Sequence, residues 1–166
     1  MRGPVFNREI MIKIPREIIN FFQSQGFAIV STIDAQGMPH SACKDIAIIE
    51  EQGKIYLLDL YLKRTYHNLK ANPNISLTAI DEHKFKGYCL KGKARIVSGD
   101  KLSREILAAW DTRIAGRITQ RMIKNLREEK GHASHPESRL PKPRYLILAE
   151  IEEIVDLTPP KLKQEA

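Results

Sequence analysis

The fold turns on three consecutive pieces of sequence: Ile55-Tyr56-Leu57-Leu58-Asp59-Leu60, then Lys63-Arg64-Thr65-Tyr66-His67-Asn68-Leu69-Lys70-Ala71-Asn72-Pro73, then Ile75-Ser76-Leu77-Thr78-Ala79-Ile80. Two apolar runs of strand length enclose a basic corner and a short helical segment, which Asn72-Pro73-Asn74 stops. Lys63, Arg64 and Thr65 stand where that helix begins. The first turn of a helix carries unpaired backbone N–H groups and the positive end of the helix dipole. Two cations and a hydroxyl at such a point suit a phosphate group. They suit a solvated basic turn as well.

Working outward, Pro15 to Gln25 places Ile18, Ile19 and Phe22 on one face, with Pro15 in the first turn and Gly26 past the end, which predicts an amphipathic helix over one end of a sheet. Phe27 to Ile33 reads as a buried strand. Asp34-Ala35-Gln36-Gly37 is a turn by its chemistry, and Pro39 to Ile49 forms the second arm of a hairpin. Lys44 and Asp45 interrupt that arm, and polar groups in mid-strand need solvent, a partner or a ligand.

Beyond the corner, Phe85 to Val97 is a long strand in which Lys91, Lys93 and Arg95 alternate with Leu90, Gly92, Ala94 and Ile96. Gly87 and Gly92 inside it point to bulges or a close backbone approach. Ser98-Gly99-Asp100 has the chemistry of a helix cap. A helix with Leu102, Ile106, Leu107 and Trp110 follows, and Asp111 is expected to open a second with Ile114, Ile118, Met122 and Leu126. Residues 131–143 read as loop and 144–157 as the closing strand. Six strands joined mostly by short turns predict a mainly β fold with flanking helices, a small antiparallel barrel. Parallel α/β is excluded, because most connections are too short for crossovers.

Length and composition bound the function. The 166 residues suit one domain, with a barrel core at about 27–97, a helical insertion at about 100–130 and the strand at 144–157. Hydrophobic residues make up 42% and charged residues 28%, a globular balance. The two cysteines, Cys43 and Cys89, match no zinc spacing and fit a reducing compartment. No apolar run approaches membrane-spanning length, and the N-terminal stretch leads into no signal-like core. A cytoplasmic protein without membrane association is expected.

The net charge of +7 collects late, where Arg113, Arg117, Arg121, Lys124, Arg127 and Lys130 recur at helical spacing. Without aromatic interleaving this is no nucleic-acid surface. It reads as a solvated face or as a rim around an anionic ligand. His132, His135 and Glu137 are too loosely spaced for a metal site, so no metal is expected. Neither a dinucleotide fingerprint nor a P-loop is present.

Four pieces in this order resemble the FMN-binding split-barrel superfamily related to pyridoxamine 5′-phosphate oxidase. They are Ala28 to His40, Gly53 to Leu60, Arg64 to Leu77, and Leu90 to Val97. The resemblance implies a six-stranded antiparallel split β-barrel and a homodimer with FMN at its interface. It implies that Arg64 and Thr65, with Lys63 beside them, hold the FMN phosphate. It places Cys43, Lys44 and Asp45 along the ring and ribityl chain, with further contacts from Leu58, Asp59 and Leu60, and leaves Trp110 open as packing or as an aromatic near the ring. The sequence departs from the oxidases proper after the first hairpin, where Ala42-Cys43-Lys44-Asp45-Ile46-Ala47 replaces a basic-aliphatic pattern ending in lysine. Their C-terminal substrate-phosphate residues have no counterpart here. The expectation is therefore a flavoprotein, an oxidoreductase of unknown substrate, with no side chain marked as a catalytic acid or base. The alternatives are a flavin or deazaflavin carrier without turnover, or a haem-binding split barrel using the loop histidines.

Overall fold

The computed structural model describes residues 12–98, 103–126, 143 and 145–164. Its elements in chain order are α1 (Arg16–Ser24), β1 (Ala28–Ile33), β2 (Pro39–Ile49), β3 (Lys54–Asp59), α2 (Arg64–Ala71), β4 (Asn74–Asp81), β5 (Lys86–Ser98), α3 (Arg104–Leu126) and β6 (Tyr145–Asp156). A 3₁₀ turn covers Pro160–Gln164. The strands close into an antiparallel barrel in the order β1-β2-β3-β6-β5-β4, which is the expected architecture.

Alternation along the strands explains two separate apolar clusters. Val30, Ile46, Ile55, Leu57, Leu77, Leu90, Ile147 and Ile151 belong to the cluster inside the barrel, where Ile18, Ile19 and Phe22 of α1 and Leu69 of α2 join them. Leu58 and Leu146 have the opposite parity and meet Ile106 and Trp110 of α3. A strand covered on both sides reads as a continuous apolar run, which is why β3 lacks a polar face. β2 breaks register with β3 between Ile46 and Ile48. The bulge leaves Ala47 and Ile48 on the α3 side while Ile46 and Ile49 remain in the inner cluster.

Gly92 is demanded by a second irregularity. β5 and β6 shift register between Lys91 and Gly92, and a Cβ on Gly92 would lie 1.9 Å from the Glu150 carbonyl oxygen. The close approach expected from the sequence is therefore a backbone-to-backbone contact.

Two details differ from the sequence expectations. Phe27 precedes β1 and is 59% exposed. The helical region is one 23-residue helix, not two meeting at Asp111. Asp111 is not a helix breaker, and the spacing of four through Ile106, Trp110, Ile114 and Ile118 keeps one face apolar across it. Near the start of this helix the Ile106 N–H donates to the Ser103 hydroxyl at 3.3 Å. Gly99, Asp100, Leu102, Arg127, Lys130, His132, His135 and Glu137 lie outside the described residues, as do the side chains of Arg121 and Lys124.

Candidate functional site

The polar interruption of β2 faces two ways. Lys44 and Asp59 stand opposite each other on β2 and β3, and Asp59 is the register partner of Tyr145 on β6. Lys44 Nζ donates to Asp59 Oδ2 at 2.5 Å, and the Tyr145 hydroxyl donates to the same oxygen at 2.5 Å. The Tyr61 N–H donates to Asp59 Oδ1 at 3.2 Å. Asp59 is 2% exposed, so three donors converge on a carboxylate withdrawn from water. Burial first, and then the hydrogen bond and charge of Asp59, hold the Tyr145 phenol protonated well above its ordinary range. Tyr66 of α2 packs edge-on against Tyr145 at 5.1 Å between ring centroids and closes this corner.

Asp45 has the other parity and meets α3. Its Oδ1 pairs with Arg113 Nε, and its Oδ2 lies 3.3 Å from Arg117 Nη2. Both carboxylate oxygens are sealed from solvent, and neither makes a well-directed hydrogen bond, so the contact is one of charge against charge. Burial pushes the Asp45 carboxyl above its ordinary range, and the two guanidinium charges pull it back only in part. The arginines also reach the segment between α1 and β1. Arg113 Nη2 approaches the Gln25 carbonyl at 3.5 Å, Arg117 donates to the Gly26 carbonyl, and Arg117 lies 4.5 Å above the Phe27 ring.

Between these two networks is a cavity of about 200 Å³, lined by Phe27, Cys43, Lys44, Asp45, Leu58, Asp59, Leu60, Tyr61, Trp110 and Arg117. It gathers five of the residues expected along a flavin: Cys43, Lys44, Asp45, Leu58 and Asp59. Sequence reasoning missed Phe27 and Tyr61, took Leu60 with its strand as a further contact, left Trp110 open between packing and a place near the ring, and read Arg117 as part of a solvated face or a rim around an anionic ligand. One signal was available, because Asp45 in mid-strand called for partners and the helix carried arginines four residues apart. A wider cleft of about 380 Å³ lies elsewhere, along Ser31, Thr32, Asn74, Ser76 and Lys91. Among the described residues no aromatic lines it, which makes it a poor match for a planar ring.

The basic corner begins two residues after Tyr61. Lys63 is the residue before α2 and makes no side-chain cap, so the first-turn N–H groups keep no side-chain acceptor. Lys63 and Arg64 are exposed, whereas Thr65 is 3% exposed. None of the three lines the cavity. Asn68 is structural, as its amide donates to the Thr32 hydroxyl at 3.0 Å inside the barrel.

A family model for pyridoxamine 5′-phosphate oxidase matches residues 14–157. The chain belongs to the pyridoxamine 5′-phosphate oxidase family, as the barrel and its order of elements indicate. No curated protein matches it in sequence. Among solved structures, HupZ of Group A Streptococcus superposes with a TM-score of 0.61 at 19% identity, covering 87% of this chain and 94% of that one. A conserved hypothetical protein of Mycobacterium tuberculosis gives 0.63 at 20% identity, covering 94% and 91%. An F420 reductase gives 0.53 at 14% identity, covering 86% and 98%. At these identities the likeness is one of fold.

Proposed function

We propose that this is an FMN-binding flavoprotein of the cytoplasm, a homodimer with the cofactor at its interface and an oxidoreductase in activity. The observation that carries this reading is the cavity beside the corner. A narrow space walled by Trp110, Phe27 and Leu58 and edged by Lys44, Asp59 and Arg117 opens next to residues that lead directly to an uncapped helix start. Planar apolar walls suit a ring, and free N–H groups beside Lys63 and Arg64 suit a terminal phosphate. At about 200 Å³ the cavity is smaller than the ~300–1,000 Å³ usual for such ligands. A second subunit completing the site accounts for the difference.

Bound FMN would supply hydride transfer at its N5 atom. The residues of this chain supply placement and charge. Arg64 and the Thr65 hydroxyl hold the phosphate, and Trp110 keeps water from one side. Lys44 is already neutralised by Asp59, so Arg117, which shares one carboxylate with Arg113, provides the positive field at the ring edge. A deazaflavin of similar ring shape fits the same walls. Haem would draw instead on the loop histidines His132 and His135, which lie outside the described residues.

The test is the affinity of purified protein for FMN before and after Arg64→Ala. Loss of a charge-assisted phosphate contact costs about 2 kcal/mol, roughly 30-fold in affinity. Unchanged affinity would remove the corner from the site. A flavin spectrum with no change on adding a nicotinamide reductant would favour a carrier over an enzyme.

A further inference from the structure

Asp45 lines the cavity, yet its charged atoms are not open to it. Both carboxylate oxygens are sealed from solvent and face Arg113 and Arg117 of α3. A ligand in the cavity therefore cannot reach them. The same helix brings Trp110 to the cavity, one turn before Arg113 and two before Arg117. Beneath α3 the apolar contact is the small cluster of Leu58, Leu146, Ile106 and Trp110 with its partly buried neighbours, much less than the barrel interior holds.

We propose that Asp45 is a positioning residue: its ionic latch to Arg113 and Arg117 fixes α3 against β2, and so sets Trp110 as the outer wall of the ligand cavity. This deepens the flavin reading and rests on it only for the identity of the ligand. One carboxylate serves two cations spaced four residues apart on one helix face, so it fixes the rotation of the helix as well as its distance. Arg117 carries the latch on to the Gly26 carbonyl and the Phe27 ring, tying the third element of the wall to the same point. The latch is charge against charge inside the protein. Removing one side strands the other, and removing both sides relieves the mismatch.

Trp110 is the only tryptophan, which makes the wall directly observable. The experiment measures acrylamide quenching of Trp110 emission in cofactor-free protein, alongside FMN affinity. It uses wild type, Asp45→Asn, the Arg113→Gln/Arg117→Gln double variant, and the triple variant carrying all three changes. Far-UV circular dichroism checks that each is folded. Quenching is expected to rise at least twofold and affinity to fall at least tenfold in both the single and the double variant. In quenching the triple variant should be no worse than either, because all three changes act on one latch, and its FMN affinity should be no lower than that of the double variant, which has likewise lost Arg117. Should Asp45→Asn fail to fold, the neutral triple variant carries the test with the same expected rise in quenching. Weakened FMN binding with unchanged quenching would overturn the proposal, since Asp45 would then act on the ligand itself. Quenching unchanged in the triple variant overturns it as well. Wild type that takes up no FMN would defeat the flavin reading alone, and the quenching series would still decide the latch.

Discussion

The Tyr145 hydroxyl donates to Oδ2 of Asp59, and the two are register partners on β6 and β3 although 86 positions separate them in the chain. The closing strand thus completes the polar corner that β2 and β3 begin. In the folded protein, burial and the Asp59 carboxylate hold the phenol protonated beyond its ordinary range. An unfolded chain releases that proton near pH ~10. Above this pH the folded state binds more protons than the unfolded state, so stability is intact below about pH 10 and falls as the pH rises further. Tyr145→Phe is expected to cost about 1–2 kcal/mol at neutral pH and to flatten the alkaline loss. Urea midpoints at pH 7 and about pH 10.5 for both proteins measure it. An alkaline slope unaffected by the substitution would contradict the assignment.

Lys44 and Asp59 form a withdrawn ion pair, with side chains 13% and 3% exposed. Lys44→Met leaves the carboxylate without its cation, at a cost of about 3–5 kcal/mol. Adding Asp59→Asn should recover much of that loss, since the amide oxygen still accepts from Tyr145 and no lone charge remains. Denaturant titration of the single and double variants decides it. A double variant as unstable as the sum of its parts would show the pair to be uncoupled.

Gly92 faces the Glu150 carbonyl, which the Cβ of an alanine would meet at 1.9 Å. Backbone, not a flexible side chain, would have to move, so Gly92→Ala should cost about 3 kcal/mol or more. Gly26 meets open space, and Gly26→Ala should stay within about 0.5 kcal/mol. Thermal melting of the two variants side by side checks the contrast.

Asn68 ties α2 to the barrel interior through Thr32, with the two residues 8% and 2% exposed. Asn68→Ala should destabilise the protein by about 1–2 kcal/mol, because the Thr32 hydroxyl loses its donor inside the core. FMN affinity in the same variant should fall less than in Arg64→Ala, since Asn68 faces the barrel and not the corner. A larger fall would place Asn68 at the ligand.

Much of the architecture was legible because each element carries its own local signal. The alternation of Lys91, Lys93 and Arg95 with small and apolar residues, the stop at Asn72-Pro73, and the turn at Asp34–Gly37 depend on neighbours a few positions away. The division of α3 at Asp111 was misread for the same reason. A polar residue looks like a start when the apolar stripe that runs beneath it is not seen against β2 and β3.

What the sequence by itself determined is the succession of strands and helices, the barrel they imply, the basic corner at the start of α2, and a bulge or close backbone approach at Gly87 and Gly92. Only the tertiary structure decided how the charges pair. Lys44 and Asp45 are adjacent, yet strand geometry sends them to opposite faces, Lys44 to Asp59, which Tyr145 also bonds, and Asp45 to Arg113 and Arg117. Periodicity tells which face a residue takes, but its partner on that face depends on which distant strand or helix closure brings there.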